Sequence, residues 1–114
     1  MNVLDFKFVE FIPNTIEEGV IYISTEFGTA VHLCACGCEN EVVTPFSPTD
    51  WKLIFEGDTI SLSPSIGNWS FNCRSHYWIY RNRIIKCKQW SDREIKQNRQ
   101  CDKKRKLNYF KKRR

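Results

Sequence analysis

His32-Leu33-Cys34-Ala35-Cys36-Gly37-Cys38, the stretch HLCACGC, sets a histidine and three cysteines on alternate positions. Further along, CRSHYW places Cys73 and His76 three positions apart. Zinc prefers thiolate and imidazole in a tetrahedron, and structural sites commonly draw two ligands from each of two tight turns. Cys36-Gly37-Cys38 is one such turn, since glycine lets the backbone fold until both sulfurs face one ion. Cys73 and His76 supply the other pair. The spacing therefore predicts a structural zinc held by Cys36, Cys38, Cys73 and His76, with a hairpin between the two turns as in a zinc ribbon. Cys34 can replace Cys36 or Cys38 as a ligand, or serve as a small buried hydrophobe. Cys87, at the end of a strand, and Cys101, in a polar helix, are read as unligated thiols. His32 lies two residues before Cys34, so on a regular strand both side chains share a face, beside the metal turn but outside it.

On either side of this stretch the chain reads as β structure. VIYIST and TAVHLC flank EFG, where Gly28 supplies a turn, and form a hairpin. EVVTPF is a short β-branched run stopped by prolines. WKLIF and TISLS flank EGD, whose Gly57 can take positive φ, and Leu53, Phe55, Ile60 and Leu62 would share one face. NWSFNC and HYWIY, with RN leading into RIIKC, make the last strands. No segment before residue 90 has helical periodicity. SDRE at residues 91–94 is a capping box, and it predicts a helix from Asp92 to about Lys106 with Ile95 and Leu107 as almost its only aliphatic side chains. The expected fold is mainly β, with small antiparallel sheets, a zinc-ribbon-like metal turn and a C-terminal helix. Residues 1–90 form the zinc-stapled β domain, and residues 91–114 the helix and basic tail.

A length of 114 residues suits one domain. Hydrophobic residues at 41% make global disorder untenable. No run is long and apolar enough for a membrane span, and MNVLDFKFVEFIP lacks the basic start of a secretory signal. A cytoplasmic location is expected, where thiols stay reduced and clustered Cys and His bind metal more often than they form disulfides. The charge is divided. Residues 1–80 hold three Lys/Arg against ten Asp/Glu, and residues 81–114 fifteen against three. A basic tail of this kind can bind nucleic acid or an acidic protein face, or fold back on its own acidic body. The last twelve residues, KKRKLNYFKKRR, are expected to be mobile.

SLSPSIGNWSF crowds serines, Pro64, Gly67 and Asn68 into eleven residues, a composition that bends the chain and bonds local backbone. Such a bend can also present a hydroxyl and backbone N–H groups to a substrate, with Ser63 or Ser65 as nucleophile and His32 as base. Trp69, Tyr77 and Trp78 would be core or site walls.

Taken together, AVHLCACGC, TPFSPTDW and SLSPSIGNWSFNCRSHYW resemble a family of small bacterial zinc-binding proteins encoded beside ubiquitin-like modifiers and their activating and conjugating enzymes. The resemblance covers about residues 18–90. The family's motifs fall on His32, on Cys36, Gly37 and Cys38, on Ser63 through Trp69, and on Cys73, Ser75, His76 and Tyr77. It implies that a ubiquitin-like modifier and its conjugation enzymes are the partners, and it fixes no mechanism. Such a pathway needs a peptidase or isopeptidase to expose the modifier's C-terminus and remove it from targets. Under that expectation zinc is a staple, because a site closed by three thiolates and an imidazole leaves no position for water. The alternatives are a zinc-ribbon-like adaptor, which predicts no cleft joining histidine and serines, and a tail-mediated nucleic-acid binder.

Overall fold

The computed structural model describes residues 3–88 and 90–112, with the side chains of 101–105 and 108–112 outside the description. Eight strands precede one helix: β1 Asp5–Phe8, β2 Val20–Ser24, β3 Thr29–Leu33, β4 Glu41–Pro45, β5 Lys52–Glu56, β6 Thr59–Gly67, β7 His76–Tyr80, β8 Arg83–Lys86 and α1 Asp92–Lys112. They form two four-stranded sheets in the orders β1-β2-β3-β4 and β5-β6-β7-β8. The mainly β fold with a C-terminal helix is the one expected.

The hairpins follow from their turn residues. Gly28 (φ 62°) and Gly57 (φ 63°) occupy the left-handed region that their turns require. Arg81 and Asn82, with φ of 47° and 66°, make the two-residue connection from β7 to β8. The register sets Leu53 opposite Leu62 and Phe55 opposite Ile60, so the four share a face as their alternation predicts. β1, in a segment with no strand signal in the sequence, pairs parallel with β2, so the first sheet is not wholly antiparallel. NWSFNC is not a strand. Phe71 N–H donates to Asn68 C=O and Arg74 N–H to Phe71 C=O, so this segment is two successive turns.

One core joins the sheets: Leu4, Ile21, Ile23, Ala30, Cys34 and Val42 from the first half pack with Ile60, Leu62, Ile66, Tyr77, Ile79 and Ile84 from the second. Each aliphatic side chain so buried contributes roughly 1.5–3 kcal/mol. Asn82 adds a polar tie, accepting from Leu4 N–H at its carbonyl and from Ile60 N–H at its side chain.

The helix opens on the expected capping box, with Glu94 N–H donating to Ser91 Oγ and Ser91 N–H to Glu94 Oε1. It runs to Lys112, past the predicted end. Ile95 is buried whereas Leu107 is exposed. Arg74–Asp92 (2.8 Å) fastens its start to the Cys73 turn, and Lys106–Asp50 (2.9 Å) draws its basic half onto the acidic body. Cys101 and the final residues fall outside the described side chains. Among the described residues, no helix is long and apolar enough to cross a membrane.

Candidate active site and thiol cluster

β3 ends at Leu33, and Cys34 begins the turn that follows. Cys34 N–H donates to Asn40 C=O, while Gly37 N–H returns to Cys34 C=O with Gly37 at φ 92°. Opposite lie the turns of residues 68–75. Between them the sulfurs of Cys34, Cys36, Cys38 and Cys73 gather, all within 4.8 Å of one another. Three of the expected ligands are thus brought together, and the fourth thiol is Cys34 where His76 was expected.

The physical reason is strand parity. Ile66 lies opposite Tyr77 and Gly67 opposite His76, and Asn68 N–H donates to Ser75 C=O. Tyr77 faces the core, so Ser75 faces inward with it and His76 faces the other way. Ser75 Oγ accordingly sits 3.1 Å from Cys34 Sγ and 3.5 Å from Cys73 Sγ. Cys34, on the buried face shared with His32, points to the place that His76 cannot reach.

The cluster fits a metal. A tetrahedron built on Zn–S bonds of about 2.3 Å has edges of about 3.8 Å. The Cys34–Cys36, Cys34–Cys73 and Cys38–Cys73 sulfur separations are 3.5, 3.8 and 3.7 Å. Four thiolates suit a soft ion, zinc or iron. Asn40 donates to Cys38 from backbone and side chain, and this pulls the thiol down to about 6. Burial pushes the Cys34 thiol up, a cost that bonding to a cation reverses. The five described cysteines form no disulfide, and Cys87 lies outside the cluster.

His76 has other partners. Its Nε2 lies 2.9 Å from Ser65 Oγ and its Nδ1 2.9 Å from Lys88 C=O. A carbonyl only accepts, so Nδ1 carries the hydrogen and Nε2 is left to accept from the serine hydroxyl. Trp69 and Trp90 meet the imidazole at ring-centre distances of 5.1 Å each and stack on each other at 5.4 Å. Ser65 owes its position to a register shift between Leu62 and Ile66, an irregularity that re-aims side chains. Ser65, Gly67, Trp69, His76 and Trp90 line a groove of about 650 Å³, walled on another side by Glu41, Val42 and Val43.

His32 and Ser63 are placed elsewhere. His32 is buried, with Nε2 2.7 Å from Tyr77 Oη. Desolvation lowers its pKa to about 4, so it is a neutral core imidazole at physiological pH, joined to neither serine. Ser63 pairs with Lys52 and borders a neighbouring depression with Phe46, Pro48 and Leu53. The histidine that meets Ser65 is His76, and His32, which the sequence suggested as its base, meets Tyr77. The sequence contained a signal for this: in HYWIY the core-facing Tyr77 and Ile79 put His76 on the opposite face.

Gly67 faces His76 across the strand pair, and a Cβ there would lie 2.5 Å from Trp69 Nε1 and 2.6 Å from Cε2. The indole that walls the imidazole thus rests on a bare backbone. Gly67→Ala is expected to displace Trp69 and to lower any Ser65-dependent turnover about 10- to 100-fold, the scale of a 1 Å misplacement. Tm should change little, and steady-state kinetics with a thermal melt checks both.

Two mainly antiparallel sheets, a cluster of four thiols that could hold a metal ion and a serine–histidine pair in a groove make up a small β protein. Residues 8–87 match the family model described as bacterial ubiquitination-like system serine protease (BubE), and the chain belongs to that family. No curated protein and no solved structure matches it significantly.

Proposed function

We propose that the protein is a serine peptidase or isopeptidase that releases or exposes the C-terminus of a ubiquitin-like modifier. The observation that carries this reading is the 2.9 Å approach of Ser65 Oγ to His76 Nε2 with His76 Nδ1 bonded to the Lys88 carbonyl. This is a nucleophile, a base and a group that orients the base. Family membership supports the same chemistry and pathway.

In the proposed reaction Ser65 Oγ attacks the carbonyl carbon of the scissile bond and its proton passes to His76 Nε2. The imidazolium then protonates the leaving amine as the C–N bond breaks, leaving an ester on Ser65. Water attacks that ester, again losing its proton to His76, and the carboxyl product departs as Ser65 recovers its hydrogen. Lys88 C=O holds the ring in the required tautomer. As a neutral carbonyl it stabilises the imidazolium less than a carboxylate would. The Gly67 N–H, turned away from β7 by the register, is the proposed donor to the oxyanion. The four thiols would hold zinc, which supplies no reacting group there: a cage closed by four sulfurs has no position for substrate.

A non-catalytic adaptor needs no cleft at the serine–histidine pair, and the groove favours the hydrolase. The test is to incubate the protein with a modifier extended beyond its C-terminus and, separately, with a fluorophosphonate probe. Release of the extension and labelling at Ser65 are expected; an unlabelled Ser65 with an intact pro-form would overturn the proposal.

A further inference from the structure

Which part of the molecule holds the substrate's main chain follows from the parity of β4. Cys34 N–H donates to Asn40 C=O, and Phe46 N–H donates to Gly28 C=O. In an antiparallel ladder, bonded pairs alternate with unbonded ones. With Ala30 opposite Thr44 and His32 opposite Val42, it is Val42 and Thr44 that bond β3. The N–H and C=O groups of Glu41 and Val43 point the other way, and β4 is the last strand of its sheet. They have no strand partner among the described residues. Pro45, which has no N–H, closes the ladder at the far end.

This edge is also a wall of the groove. Glu41, Val42 and Val43 line it together with Ser65, Gly67 and His76. On the other wall β5 pairs β6 only from Thr59 to Ser63, so the end of β6 from Pro64 to Gly67 likewise lies beyond its neighbour. An open strand edge invites another chain to pair with it, and here the edge runs alongside the proposed nucleophile.

We propose that the modifier's C-terminal tail binds as an extended strand added to the free edge of β4, pairing with Glu41 and Val43 and delivering its scissile carbonyl to Ser65. The inference rests on the hydrolase reading and deepens it. Strand addition takes its affinity from main-chain hydrogen bonds and its selectivity from alternate side chains. The tail is the constant part of every pro-form and conjugate, whereas the residues beyond the scissile bond differ from target to target. Recognition of an extended main chain on the modifier's side therefore fits an enzyme that must release one protein from many. Trp69 and Trp90 crowd the reacting end of the groove, which suits small residues next to the scissile bond.

The experiment uses the full chain carrying Ser65→Ala, labelled with nitrogen-15, and a synthetic peptide with the C-terminal tail sequence of a ubiquitin-like modifier. Amide hydrogen exchange at Glu41 and Val43 should slow by about tenfold or more when the peptide binds, whereas Val42 and Thr44, already bonded to β3, should change little. N-methylating the peptide backbone one residue at a time should weaken binding at every second position. Binding that leaves Glu41 and Val43 exchange unaltered, or no binding, overturns the inference. So does protection that arises without peptide and grows with protein concentration, because the edge would then be pairing with a second copy. Fluorophosphonate labelling of the unmodified protein separates the two readings. Labelled Ser65 with an unprotected edge sinks only strand addition, and a protected edge with unlabelled Ser65 sinks the hydrolase and the delivery to Ser65 while leaving the strand pairing.

Discussion

Ser65→Ala is expected to lower cleavage of an extended modifier by at least about a thousandfold, because removing a nucleophile eliminates the covalent route and leaves only binding and oxyanion stabilisation. The variant should fold normally. Ser65 is half-buried on an irregular stretch of β6, and its hydroxyl is bonded to His76 and to no core group. His76→Gln should fall as far, since glutamine can occupy the space but cannot accept the proton. The double variant should be scarcely worse than either single one, the signature of two groups working as a unit. Ser63→Ala is the control: that serine pairs with Lys52, and the hydrogen bonds of His32 and His76 go to Tyr77, Ser65 and Lys88, so its rate should stay within about twofold of the parent. Circular dichroism and cleavage rates on the four proteins decide the matter. A Ser65→Ala protein that still cleaves, or a Ser63→Ala protein that does not, would move the chemistry off the 65–76 pair.

Much of the architecture was legible because turn chemistry is local. Gly28, Gly57 and the Arg81-Asn82 pair mark their connections in the sequence, and β-branched alternation on either side fixes which faces are buried. The capping box marked the helix start for the same reason. What could not be read locally was the partnership of the histidines. Cys73-x-x-His76 has the spacing of a zinc turn, yet ligand spacing presumes a turn at both residues, and His76 is already the first residue of a strand. Once Tyr77 is buried, parity commits His76 to the groove and Ser75 to the thiols. His32 shares a face with Cys34, and that face is the core, where its Nε2 lies 2.7 Å from Tyr77 Oη. The serine-rich bend marked Ser63 and Ser65 alike and could not separate them, because the aim of Ser65 depends on a register shift between two strands. The N-terminal β1 leaves no such signal, because a four-residue parallel strand has neither hairpin turn nor a long enough alternation.

On the proposal that the four thiols hold zinc, removing it is expected to have the largest effect on stability. Each of Cys34→Ser, Cys36→Ser, Cys38→Ser and Cys73→Ser should lose the bound ion, whereas His76→Gln should retain one per chain while losing cleavage. The metal content of the purified variants thus separates a four-thiol cage from a three-thiol, one-imidazole site. Structural zinc contributes about 10–16 kcal/mol of apparent binding energy in small domains, and domains of this size have only about 5–15 kcal/mol of net stability, so the chelated chain should lose cooperative unfolding. The geometry says where the loss would spread. The cage joins the end of β3 to the turn before β7, through Cys34 and Cys73. Asn68, itself buried, donates to Ser75 Oγ at 2.9 Å and to Cys34 Sγ at 3.6 Å. His76 follows that turn directly, and Gly67 precedes Asn68. With the cage open, residues 67–76 lose their tie to the end of β3 through Cys73 and are left to hydrogen bonds and the β6–β7 pairing, so fluorophosphonate labelling should fall with the metal and return on adding zinc. Labelling that survives complete metal removal would show that the sheets alone position the serine–histidine pair, and the staple would then serve stability without serving the site.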